Sequence, residues 1–217
     1  MDAKALYRRC ESGLAQLDIE LLPDQISRLI DFIILLEKWN RSYNLTSIRR
    51  VEEMIDRHIL DSLAVLPWLT SRSILDVGSG AGLPGIPLAI AVTDRRFTLL
   101  ECQHKRTRFI RQAVIELKLD NVEVVTGRSE TYRPPERFPL VLSRAVGPVE
   151  RIVAQTKHLM APAGRWLLYK GADPWDELQA LSDHFAARVV PVCVPGITAA
   201  RYIVEVSRIR NGSGAEA

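Results

Sequence analysis

The chain has 217 residues, 47% hydrophobic and 25% charged, with 12 glycines and 12 prolines, which suits one globular core with an appendage and excludes a disordered or repetitive chain. No apolar run is long enough to span a bilayer, and the N-terminal stretch M-D-A-K-A-L-Y-R-R-C lacks the apolar core of a secretory signal, so a soluble cytoplasmic protein is expected. A net charge of +3 names no partner by itself, and three scattered cysteines, Cys10, Cys102 and Cys193, form no C-x-x-C pair, so reduced buried thiols and no metal site are expected.

The chain opens on helical patterns. After Pro23, with Asp24 as the expected N-cap, Ile26, Leu29, Ile30, Ile33 and Leu36 recur at helical spacing as far as Trp39. A polar turn at residues 40–47 follows, and then Val51, Met54, Ile55, Ile59 and Leu63 repeat the pattern. Residues 1–70 therefore read as an N-terminal helical appendage. Trp39-Asn40 and Tyr43-Asn44 read as buried anchors that tie it to the rest. His58 and Asp61 stand three apart on one helix, where a catalytic pair and a packing pair with Arg57 both fit; the packing pair is the plainer reading.

Beyond residue 72 the period changes. Short β-rich runs at 73–77, 97–101, 122–125, 139–143 and 165–170 alternate with helical segments at 84–92, 104–118, 148–160 and 174–186. Strands alternating with crossover helices predict a parallel sheet. Two last runs, 187–194 and 201–208, flank Pro195-Gly196 and predict an antiparallel pair, giving a mostly parallel seven-stranded sheet over residues 71–209. Residues 210–217 read as a disordered tail.

Cations cluster at Arg8-Arg9, Arg49-Arg50, Arg95-Arg96 and in H-K-R-T-R-F-I-R from 104 to 111. Lys105, Arg108 and Arg111 share one helix face there, with Arg106 beside them, and a solvated surface and a nucleic-acid face both fit. Lys170 and Arg201 fall at the ends of predicted strands, where phosphate contact and simple solvation are again both open.

The most informative stretch is D-V-G-S-G-A-G-L-P-G-I-P-L, from Asp76 to Leu88. Gly78, Gly80 and Gly82 occupy the turn between the first strand of the sheet and its crossover helix, the edge where such sheets bind ligands. Glycine there permits positive φ and exposes backbone N–H groups beside a helix N-terminus. A dinucleotide fingerprint G-x-G-x-x-G would need glycine at 83, and the chain has Leu83, which argues against a nicotinamide oxidoreductase. With Asp76 ahead and Glu101 closing the next strand, the constellation instead suits a methionine-bearing nucleoside whose ribose needs a carboxylate. A noncatalytic RNA-binding protein would have less use for an intact glycine turn.

These residues carry a resemblance. L-E-K-W-N-R-S-Y-N-L-T-S (36–47), R-H-I-L-D-S-L (57–63), the glycine stretch, K-R-T-R-F (105–109), L-S-R-A (142–145) and Y-K-G (169–171) resemble the bacterial glucose-inhibited division protein B family. The family methylates guanine N7 in the small-subunit ribosomal RNA. The resemblance implies a class I, Rossmann-like S-adenosylmethionine-dependent methyltransferase fold with added N-terminal helices, S-adenosylmethionine as cofactor, and a guanine of 16S rRNA in the decoding region as target. Carried onto this chain, it implies cofactor contacts at Gly78, Leu83, Ser129, Glu130 and Arg144. A monomer acting on 16S rRNA or the small ribosomal subunit is expected.

The residues missing from the chain agree. Methyltransferases acting on exocyclic amines carry an N/D-P-P-Y/F segment after the fourth strand; this chain has Ser143-Arg144-Ala145. Carbon-5 methylation needs a cysteine nucleophile, and Cys193 lies on a late predicted strand. Guanine N7 carries a lone pair and no proton, so it needs neither. Arg144, at the end of the fourth strand, is the candidate to orient the guanine or the cofactor; pairing with N7 would block the nucleophile, which leaves O6, a phosphate or the cofactor.

Overall fold

The computed structural model describes residues 3–144 and 146–209. Its strands are β1 (Ser73–Val77), β2 (Arg96–Glu101), β3 (Val122–Thr126), β4 (Phe138–Arg144), β5 (Met160–Lys170), β6 (Phe185–Pro191) and β7 (Tyr202–Arg208). They form one sheet in the order β3-β2-β1-β4-β5-β7-β6, in which β7 alone runs antiparallel to its neighbours. The order reverses beside β1, so the carboxyl ends of β1 and β4 flank the crevice where doubly wound sheets bind ligands.

The expected elements are present with shifted bounds. β5 starts at Met160, five residues early, because a register irregularity lets Phe138 pair with Met160 before Leu140 pairs with Arg165. The last crossover, expected at 174–186, is only a short helix, Trp175–Gln179 (α8). β6 and β7 are joined by residues 192–201, ten residues and not the two of the Pro195-Gly196 turn, though they are antiparallel as expected. A first helix, α1 (Ala3–Gln16), went unanticipated because its buried residues are few: Leu6, Cys10, Gly13 and Leu14. Of the cysteines only Cys10 is buried; Cys102 and Cys193 are exposed. Ala145 and the expected tail at 210–217 lie outside the described residues.

Helix α2 (Pro23–Tyr43) starts one residue before the expected cap. Leu22 donates its N–H to Gln25 Oε1 at 2.8 Å, while Asp24 lies inside the first turn and pairs with Arg28. Gln25 Nε2 also donates to the carbonyls of Ile90 and Ala91, capping the C-terminus of helix α5 (Gly85–Ala91). Residues 51–63 form one run of helix whose middle, Ile55–Leu60, is a π turn between α3 (Val51–Met54) and α4 (Asp61–Leu63).

Alternation along the strands sorts two cores. Ile74, Leu140, Leu142, Leu167 and Tyr169 share a cluster with α2, the π turn and helix α6 (His104–Glu116), while Leu75, Val77, Val141, Trp166 and Leu168 pack with helix α7 (Val149–Thr156). Leu29, Phe32, Ile33 and Leu36 of α2 are fully buried in the first cluster. Removing the appendage would expose each at about 1.5–3 kcal/mol, so it is built into the sheet's own core. The same alternation carries to the strand ends: Arg144 follows Leu140 and Leu142 onto the appendage face, and Lys170 follows Trp166 and Leu168 onto the other.

Candidate active site

Beyond β1 the chain turns through three glycines with positive φ: 69° at Gly78, 57° at Gly80 and 79° at Gly82. Side chains rarely adopt this region. The expectation that all three leave room for a ligand needs correction. A Cβ at Gly78 would meet Val146 at 2.6 Å and one at Gly82 would meet Ile86 at 2.6 Å, whereas at Gly80 the nearest atom is the Gly78 carbonyl oxygen at 3.9 Å. Only Gly80 faces open space.

Asp76 lies buried beneath the turn. It is 0% exposed, and its Oδ2 accepts the Gly85 N–H at 3.0 Å, fixing the start of α5. Burial pushes its carboxyl up to about 7 against the pull of the Gly85 N–H. The other oxygen, Oδ1, has no partner. Leu83 likewise turns into the core, 6% exposed, with its N–H donated to Ser79 O at 2.8 Å. Both side chains turn inward, Asp76 by its strand parity and Leu83 by the tight turn.

Glu101 closes β2 next to the turn. Its carboxylate accepts the N–H groups of Gly80 and Gln103, each at 2.9 Å, and Arg106 Nη1 lies 3.6 Å from Oε2. Arg106 was expected on an RNA-binding face; one turn into α6, it folds back onto Glu101. Lys105, Arg108 and Arg111 do lie exposed on that helix, with Arg111 donating to Thr126 Oγ1. After β3, Ser129 Oγ donates to Glu130 Oε2 at 3.1 Å, and the backbone N–H of Glu130 with the Ser129 hydroxyl holds the Glu130 carboxyl below its usual range.

On the other side of the crevice is a cavity of about 420 Å³ between the appendage and the ends of β4, β5 and β7. Arg57, Asp61, Arg144, Lys170 and Arg201 line it. The π turn shapes its wall: the Asp61 N–H donates to Asp56 O, five residues back, and the Arg57 carbonyl accepts Arg144 Nη1 at 3.1 Å. Arg144 Nη1 also donates to Asp61 Oδ2 at 2.9 Å, and Arg201 Nε donates to Asp61 Oδ1 at 2.9 Å. Asp61 was expected to pack with Arg57; it joins the appendage to the end of β4 and to the residue before β7 instead. The only sequence signal was its place in R-H-I-L-D-S-L, and the partners are 83 and 140 residues away.

His58 is a packing residue. Thr46 Oγ1 lies 3.0 Å from Nε2 and the Arg57 carbonyl 3.1 Å from Nδ1, while burial, then the nearby Arg144, lowers its pKa to about 3. Lys170 and Arg201 each have partners within the protein. Lys170 donates to Gly147 O and Glu177 on its own face of the sheet, and Arg201 is engaged with Asp61. Of the anchors, Asn40 is buried and bonded to Thr46 and Ile48, and Trp39 stacks on Tyr43 at 5.1 Å and meets Phe109 at 5.7 Å. Tyr43 is itself exposed, and Asn44 is the left-handed C-cap of α2. Among the described residues no group of three or more His, Cys, Asp or Glu side chains is placed to hold a metal ion, and no helix is long and apolar enough to cross a membrane.

The residues suit S-adenosylmethionine. The open space at Gly80, the carboxylate of Glu101 fixed beside it, and the step of half-buried Ser129 and exposed Glu130 after β3 lie along the ends of β1, β2 and β3, as a nucleoside with a ribose diol requires.

Solved structures of low identity share the fold. The glycopeptide N-methyltransferase MtfA aligns at TM-score 0.60 and 14% identity, over 72% of this chain and 98% of that one. TrmN from Thermus thermophilus aligns at 0.56 and 16%, over 78% and 53%. Closer in sequence, the ribosomal RNA small subunit methyltransferase G of Chromobacterium violaceum is 46% identical, over 90% of this chain and 95% of its own length. The protein of the same name from Nitrosococcus oceani is 47% identical, over 93% and 95%. With residues 25–204 matching the GidB family model, described as rRNA small subunit methyltransferase G, the chain belongs to that family.

Proposed function

We propose that this protein transfers the methyl group of S-adenosylmethionine to N7 of one guanine in the decoding region of 16S rRNA, acting as a cytoplasmic monomer on the rRNA or the small subunit. Family membership carries the methyltransferase activity and the small-subunit rRNA; the finer reading rests on the chemistry of the cavity. We divide the roles at residue 70: residues 1–70 shape the cavity, and residues 71–209 supply the cofactor edge.

The cofactor supplies a methyl group made electrophilic by a sulfonium. Gly80 admits it, with Gly78 in the turn beside it, Glu101 accepts from its ribose, Ser129-Glu130 flank its adenine, and Arg144 stands between it and the cavity. Asp76, Gly82 and Leu83 hold the turn from behind. Lys105, Arg108 and Arg111 extend the surface toward phosphates.

What favours N7 is the set of side chains at the end of β4. Arg144 is a lasting cation, His58 is kept neutral with a pKa near 3, and both oxygens of Asp61 already accept from arginines. Neither Arg144 nor His58 is a base there, and Asp61 is held as the shared carboxylate of two arginines. A ring nitrogen with a free lone pair needs no base, so the protein's work is positioning, for which effective molarities supply roughly 7–11 kcal/mol. An RNA carrying 7-deazaguanosine at the target keeps O6, the amine and the shape but presents carbon at position 7. It is expected to bind and not react, while the natural RNA, after borohydride and aniline, is cleaved at one guanosine. Comparable methyl transfer from labelled cofactor to the deaza substrate would overturn the assignment.

A further inference from the structure

We propose that Asp61 selects guanine, by accepting the N1–H and 2-amino group of the target base in the cavity beside the cofactor edge. This rests on the guanine-N7 reading above and names how the base is recognised. The cavity, about 420 Å³, adjoins β4, β5 and β7, on the opposite side of Arg144 from the strand ends that suit the cofactor. Its lining carries four cations, Arg57, Arg144, Lys170 and Arg201, and one carboxylate, Asp61.

A cavity built only of cations would favour anions and would oppose a base that becomes positively charged on methylation. Two of the four cations are tied to Asp61, and Lys170 is neutralised by Glu177. Each Asp61 oxygen accepts one N–H from an arginine, and a carboxylate oxygen has room for two. One acceptor position on each oxygen is therefore left, and two acceptors on one carboxylate are what the adjacent N1–H and 2-amino donors of guanine require. Adenine presents an acceptor at N1 and is refused.

The placement also frees the reacting atom. N7 lies on the edge of the purine remote from the 2-amino group, so a base held at Asp61 turns N7 away from the arginines that would otherwise pair with it. Methylation at N7 makes the base cationic and N1–H a stronger donor, so the contact with the carboxylate tightens as the reaction proceeds, the condition for raising the rate. Arg144 at the end of β4 and Arg201 just before β7 hold the carboxylate in place from two sides.

The test replaces the target guanosine by inosine, which keeps N1–H, O6 and N7 and lacks only the 2-amino group, in RNA ligated from a synthetic segment and offered to wild type and Asp61→Asn. Wild type is expected to lose about 10- to 100-fold in kcat/KM on inosine, the effect of removing one hydrogen bond to a charged acceptor. Asp61→Asn is expected to be slower on guanosine, with the guanosine-to-inosine ratio falling to within about threefold of unity, because it no longer reads the amine. A merely structural Asp61 would slow both substrates and keep the wild-type ratio, and that result overturns the proposal. So does a wild type that uses inosine as well as guanosine, a comparison that can overturn the proposal even if Asp61→Asn fails to fold. Reaction of the 7-deazaguanosine RNA marks failure of the N7 reading instead, since it bears on the methylated atom and not on the amine.

Discussion

Arg144 and Asp61, 83 residues apart in the chain, are joined by a 2.9 Å hydrogen-bonded ion pair with side chains only 16% and 10% exposed. The same arginine donates to the carbonyl of Arg57, a residue of the π turn, at 3.1 Å. Asp61 also carries Arg201, so the two ends of the pair are not equivalent.

Removing the shared carboxylate leaves two guanidiniums unpaired, while removing one arginine leaves Asp61 with the other. Asp61→Ala is therefore expected to destabilise by about 3–5 kcal/mol, the range for breaking a buried pair. Arg144→Ala should cost less. Urea denaturation measures both, and equal losses would mean that Arg201 contributes nothing to holding Asp61.

The basic run of α6 divides into two roles. Lys105, Arg108 and Arg111 are exposed, so replacing all three by Ala is expected to lower the magnitude of the salt slope of RNA binding by about 2–3, at roughly 0.7–0.9 per phosphate. Cofactor affinity should not change. Arg106→Ala is expected to do the reverse, weakening S-adenosylmethionine binding through Glu101 and leaving the salt slope alone. Filter binding across a salt series, with calorimetry for the cofactor, separates the two; a normal slope in the triple variant would return this face to ordinary solvation.

The sequence shows the sheet plainly because hydrophobic period and chain punctuation are local: β1 is found at its observed bounds, and the glycine turn is visible from spacing alone. Glu101 is legible for the same reason, as the acid at the end of the next strand. What stays hidden is set by contacts between distant segments. That Arg201 meets Asp61 depends on β7 lying next to β5, and the inward turn of Arg106 depends on the position of Glu101. The burial of Asp76 and Leu83 follows from the pitch of the turn. The π turn has no spacing that distinguishes it from the α-helical pattern read over Val51 to Leu63.

Two buried groups give opposing dependences on pH. His58 has a folded pKa near 3 against 6.5, so the unfolded chain takes up its proton first; stability from this group is present above 6.5 and is lost as pH falls toward 3. Asp76 has a folded pKa near 7 against 3.8, so its contribution is present below 3.8 and is lost as pH rises through 7. His58→Gln is expected to lose less stability than wild type between pH 6.5 and 4.5. Asp76→Asn should gain on wild type between pH 4 and 8, by an amount on the order of 2–4 kcal/mol. Parallel curves for wild type and each variant, from denaturation at several pH values, would show that neither group is buried as described.

The glycine turn gives the sharpest contrast, because its glycines serve different ends. At Gly80, φ of 57° makes alanine strained by about 1–2 kcal/mol, but no atom lies closer than 3.9 Å to its Cβ, and the N–H given to Glu101 is retained. Gly80→Ala is therefore expected to fold, melting lower by roughly 2–8 °C, and to bind S-adenosylmethionine at least about tenfold more weakly, since the new methyl occupies the space the cofactor needs. Gly82→Ala is strained in the same way and also drives its methyl into Ile86 at 2.6 Å, so it is expected to lose more stability, while the protein that stays folded keeps its affinity. Thermal melts and calorimetry on the two variants distinguish a ligand-facing glycine from a packing one. If Gly80→Ala binds S-adenosylmethionine as wild type does, the open side of the turn is not where the cofactor sits.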